Sequence, residues 1–123
     1  MSKLYEELGG LEKLKEIVES FTERMFKDIM IGFFFHKVDK ARVKEKEFEF
    51  LASFLGAEIP YTGNGIAMVH ANHRILTGHF ERRKQILKET LIDFKVPENV
   101  ISEIMTHTDN FKTRVIKTGI PSC

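Results

Sequence analysis

Cysteine is nearly missing from this chain: Cys123, the last residue, is the only one. No internal disulfide can form, and no thiolate cluster can hold a metal. Tryptophan is absent, and proline occurs only three times in 123 residues. No stretch approaches twenty apolar residues, so a membrane span is not expected. The start, MSKLYEELGG, has acids at Glu6 and Glu7 and no apolar run, so a signal peptide is not expected either. Excess charge of one sign is also lacking: 19 basic against 18 acidic residues leave a net +1. The densest basic run, Arg82-Arg83-Lys84, is flanked by Glu81 and Glu89 and reads as a solvated helix face. Nucleic acid is therefore not an expected partner. These absences point to a soluble, cytoplasmic protein with no membrane partner, and a monomer is the expected state.

What is present is phenylalanine, eleven of it beside two tyrosines. Phe brings large apolar volume and no polar handle, which suits an aromatic core or a pocket for a large flat ligand. The length fits one domain, expected over residues 1–118 with a frayed tail at 119–123.

Apolar periodicity predicts helices throughout. Leu11, Leu14, Val18, Phe21 and Met25 recur at threes and fours over 11–28. Gly9-Gly10 before them suits a tight turn after a short helix at 2–7. IGFFFHKVD reads as a corner. Asp39 can cap a helix over 40–55, with Val43, Glu47, Phe50, Leu51 and Phe54 on one face. Residues 57–65, AEIPYTGNG, read as an extended loop. After Thr77 and Gly78 a helix runs to about Phe94, with Phe80, Ile86, Leu87 and Leu91 inward. Pro97 can open the last helix, whose apolar face carries Val100, Ile101, Ile104, Thr108, Phe111 and Val115. No strand is evident, so the class is all-α.

Two residues break the pattern. Glu47 stands on an apolar face, where an unpartnered carboxylate is costly. Either it reaches the rim, or that face lines a cavity for a polar ligand. His70 lies in MVHANHRILTGHF, which holds three of the five histidines. It is either a hydrogen-bonded packing residue or a metal ligand through one ring nitrogen. Zinc would need three or four protein ligands, and only His73 and His79 stand nearby. Haem iron needs only one strong axial ligand, because the porphyrin supplies four nitrogens. That requirement suits this chain better.

At this point the residues resemble a known family. YEELGG at 5–10, FFFHKVD, LGAEIPYTG, VHANHRILTGHF and KVPENVISEI at 95–104 are similar, in order, to group I truncated haemoglobins. The resemblance implies a truncated globin-like two-over-two helical sandwich around a haem b pocket. It implies that His70 is the proximal iron ligand, with Ile75 and Phe80 at the family's offsets. Phe35 matches the aromatic at the corner. Phe34, Val43, Phe50, Phe54 and Ile86 become pocket wall. His73 faces a propionate or water, and Lys46 lies near the haem edge.

The distal side departs from the family. Phe21-Thr22 stands where the family has Phe-Tyr, so the tyrosine that donates to bound dioxygen is gone. Glu47 stands where glutamine is frequent; ionised, it only accepts hydrogen bonds, and protonated it donates. Ala57 replaces a glycine. The resemblance implies binding of a small diatomic ligand, dioxygen or nitric oxide, opposite His70. It extends to oxygen transport and to nitric oxide dioxygenase-type activity with an external reductase. The alternatives are a haem-based ligand sensor, a peroxidase-like enzyme using Glu47, and a cofactor-free helical interaction module. Against the peroxidase, no distal histidine or arginine is evident on the pocket face. Lys46 is also a candidate sixth iron ligand at alkaline pH, ahead of His36 and Glu47.

Overall fold

A computed structural model describes the backbone of residues 3–59 and 77–117 and the side chains of 3–59 and 78–110. His70, His73, Ile75 and the 119–123 tail lie outside the described residues, as do the side chains of Phe111 and Val115.

Helices are the only regular elements among the described residues, in the order α1 (Leu4–Leu8), α2 (Leu11–Lys27), a 3-10 turn (Gly32–Phe35), α3 (Lys40–Phe54), α4 (Thr77–Asp93) and α5 (Glu98–Lys117). None is long and apolar enough to cross a membrane.

Local chemistry sets the boundaries. Gly9 and Gly10 take φ of 129° and 96°, which side-chain-bearing residues rarely adopt, and they turn the chain from α1 into α2. A Cβ on Gly9 would also come within 2.5 Å of the Lys13 side chain. Asp39 caps α3 as expected, its side chain accepting from Ala41 N at 3.0 Å. The Pro97 carbonyl accepts from Val100 and Ile101 N, so the proline sits just outside α5. Thr77 and Gly78 belong to α4 rather than preceding it.

The layers follow from the buried faces. Leu14, Ile17, Val18, Phe21, Thr22 and Met25 make α2 the central helix, packed against both α3 and α4, while α4 packs on α5. This is the two-over-two sandwich. The core continues through Leu51 and Leu55, Leu87 and Leu91, and Val100 and Ile104. Polar ties close the periphery. Arg24 bonds Asp93 at 2.8 Å, Lys84 bonds Asp109 at 2.6 Å, and Asn99 reaches Glu7 at 2.9 Å.

Candidate functional site

The site begins with Glu47. It shares a helix face with Val43 and Leu51, at spacings of four, and is only 4% exposed. It does not reach the rim. Arg83 Nη2 donates to both of its carboxylate oxygens, at 3.0 and 2.9 Å. The Arg83 guanidinium lies 5.2 Å from the centroid of the Phe21 ring, where a cation is attracted by the ring face. Three helices therefore meet at one cluster: Phe21 from α2, Glu47 from α3, Arg83 from α4.

This corrects two expectations. Arg82-Arg83-Lys84 is not a solvated face, because the Arg83 side chain is 15% exposed and all three side chains pair with acids. The site also has an arginine. The signal was present in the spacing: Phe80, Arg83 and Leu87 fall at i, i+3 and i+7, so Arg83 occupies the apolar face. A cation there and an anion at Glu47, each costly to bury alone, can be buried together.

Thr22 follows Phe21 and is fully buried. Its hydroxyl has no hydrogen-bond partner among the described residues. The same holds for His79 Nδ1, whose ring meets Phe34 and Phe33 edge-on at 5.2 and 5.7 Å.

The expected wall residues divide into groups. Phe34, Phe35, Val43, Phe80 and Ile86 are buried. Phe34 stacks with Phe33 at 4.2 Å, whereas Phe35 turns toward α2 and stacks on Phe26 at 4.7 Å. Phe50 and Phe54 are half-buried and meet His107 of α5, which stacks on Phe54 at 4.0 Å and 13°. Burial holds the His107 imidazole below the usual histidine range. His107 was missed from sequence, although it falls three residues after Ile104 and seven after Val100, on the inner face. Lys46 is not a wet surface residue: it is buried, with its amine 3.6 Å from Glu49 and 3.8 Å from Glu45. His36 is exposed.

The model of the bacterial-like globin family matches residues 3–117. The group 1 truncated hemoglobin GlbN of Mycolicibacterium paratuberculosis is 35% identical over 104 residues, covering 85% of this chain and 76% of that protein. Among solved structures, the truncated hemoglobin of Tetrahymena pyriformis in its Fe(III) form matches with a TM-score of 0.85 at 24% identity, covering 94% of this chain and 98% of that one. The 2/2 hemoglobin of Synechococcus, in the cyanomet state and with covalently attached heme, matches with a TM-score of 0.79 at 24% identity, covering 88% and 91%. Both structural likenesses concern the fold.

Proposed function

Since this chain belongs to the group 1 truncated haemoglobins, within the bacterial-like globins, we propose that it holds haem b through His70 and binds a diatomic gas, dioxygen or nitric oxide, on the opposite face. The observation that carries this reading is a pair of buried polar atoms without hydrogen-bond partners among the described residues, Thr22 Oγ1, next to Phe21 in the chain, and His79 Nδ1, whose ring lies against Phe33 and Phe34. Buried polar groups are normally satisfied, so such atoms mark a place where another group belongs. Flat apolar walls with few polar groups suit a porphyrin. Membership of the group 1 truncated haemoglobins supports the same cofactor.

When bound, the haem supplies an iron that coordinates a small gas. The chain's own residues do the rest. His70 would supply one ring nitrogen, with Ile75 and Phe80 as the neighbours that the family resemblance assigns to it. Phe34, Phe35, Val43, Phe50, Phe54 and Ile86 exclude water. His73 and Lys46 serve the propionate edge. Thr22 and Glu47 set the polarity of the ligand side, with no phenol to donate. The reaction class this supports is oxidation of nitric oxide by dioxygen, with an external reductase as electron source.

A second reading, a peroxidase-like enzyme, gains from Arg83 beside Glu47. Yet both Glu47 oxygens already accept hydrogen bonds from Arg83 and are engaged by it. Peroxide turnover that collapses in Glu47→Gln would favour it.

The primary test is spectroscopic. Protein reconstituted with haem is expected to show a five- or six-coordinate histidine-ligated spectrum. His70→Ala is expected to lose stable haem, and His73→Ala to keep it. An unchanged ferrous spectrum in His70→Ala, with loss in His73→Ala, would place the bond on the other histidine.

A further inference from the structure

Donors exceed acceptors at the cluster on Phe21. Arg83 makes its hydrogen bonds to Glu47 through Nη2 alone. Its Nε and Nη1 carry further N–H groups, and a guanidinium offers five in all with no acceptor. The Thr22 hydroxyl, next to Phe21 in the chain, is buried without a hydrogen-bond partner among the described residues. A group that completes this cluster must therefore accept hydrogen bonds, and a negatively charged one does so most strongly. Glu47 is the resident acceptor, and it takes both of its bonds from the same nitrogen. The guanidinium thus lies over Phe21 while one of its nitrogens holds the carboxylate.

We infer that Arg83 is the specificity-determining residue of the ligand pocket: its guanidinium donates to an anionic ligand at the iron, and Glu47 competes with that ligand for the same cation. The inference rests on the proposal that haem occupies this site. It moves the polar contact with ligand from α2, where Thr22 has no phenol, to α4. It also predicts effects of opposite sign. Removing the cation weakens anions, because they lose a charged donor. Neutralising the carboxylate strengthens them, because the donor is released. A purely structural pair would give effects of one sign in both variants, and would alter neutral ligands equally.

The experiment uses the haem-reconstituted full chain, titrated in the ferric state with azide and with fluoride, and in the ferrous state with carbon monoxide. Arg83→Met is expected to weaken azide and fluoride about ten-fold or more, the scale of a charge-assisted hydrogen bond. Glu47→Gln is expected to tighten both by roughly the same factor. Carbon monoxide, which is neutral, should change far less than either anion. Where Arg83→Met does not fold because Glu47 is left unpaired, Glu47→Gln/Arg83→Met removes both charges, and its affinities are read against Glu47→Gln. Anion affinities that stay flat, or that move in one direction in both variants, overturn the assignment of Arg83 while haem binding stands. Wild-type protein that takes up no haem overturns the proposed function and this inference with it.

Discussion

Asp28 divides its two carboxylate oxygens between Arg82 and the backbone. Oδ1 accepts from Arg82 Nη2 and Nε at 2.7 and 2.9 Å, while Oδ2 accepts from Met30 and Ile31 N at 3.0 and 3.2 Å. One side chain thus pins the start of α4 to the end of α2 and shapes the corner that carries Phe34 and Phe35. The bond from Arg82 holds the Asp28 carboxyl below its ordinary 3.8; burial opposes this, and the two backbone N–H groups reinforce it. A depressed folded-state value stabilises the fold above the unfolded carboxylate range. That stabilisation is lost as pH falls through the folded value.

Asp28→Asn is therefore expected to lower unfolding free energy at neutral pH by about 1–2 kcal/mol, the modest end for a charged hydrogen bond because Arg82 is partly exposed. Urea unfolding across a pH series should show the wild type and the variant converging below the ordinary 3.8. A gap that stays constant into acid would mean that the charge contributes nothing.

The Glu47–Arg83 pair makes a different prediction. The Glu47 side chain is buried and that of Arg83 mostly so, at 5% and 15% exposure. Removing only the cation strands a carboxylate, so Arg83→Met is expected to cost about 3–5 kcal/mol. Glu47→Gln/Arg83→Met should cost clearly less than the two single losses added together. Chemical unfolding of the four proteins in a double-mutant cycle measures the coupling, and strict additivity would count against a buried pair.

The hydroxyl of Thr22 contributes nothing to the apo fold if it has no partner there. Thr22→Val keeps the shape and removes a buried unsatisfied group. The haem-free variant is expected to gain about 1 kcal/mol, read as a higher thermal midpoint. A loss of similar size would show that the hydroxyl already has a bond.

His107 predicts a slope on the mild-acid side. Burial lowers its folded-state value, so its contribution is full above the unfolded value of 6.5 and declines as pH falls below it. His107→Phe keeps a ring against Phe54 and should match the wild type above that pH within about 1 kcal/mol. Below it, the variant should hold its stability while the wild type declines. Parallel curves would assign the acid response to other groups.

Much of the framework was legible from one-dimensional cues. The Gly9-Gly10 turn, the Asp39 cap and the proline before α5 each act within a few residues, and each appears where its local chemistry places it. Periodicity also marked Glu47 as out of place. Its partner was harder to see, because the bond spans 36 positions and Arg83 sits in a charged run. A run of charges suggests solvent when its residues are taken together. Taken one by one, Arg82, Arg83 and Lys84 point in different directions, and only the helical spacing separates them. His107 escaped notice for a related reason: an imidazole among polar neighbours gives no warning that Phe50 and Phe54, from a distant helix, will sit against it.

The adjacent arginines carry a consequence for how this sequence can change in length. Neighbouring residues on a helix point about 100° apart. Arg82 grips the end of α2 and Arg83 grips α3, so the two grips together fix how α4 is rotated about its axis. Loops absorb insertions and deletions. One residue gained or lost within the first turns of α4 would swing both cations off their acids at once. Asp28 and Glu47 would both lose their cations to a single-codon gap. Relatives that keep both Asp28 and Glu47 should align through this helix without one.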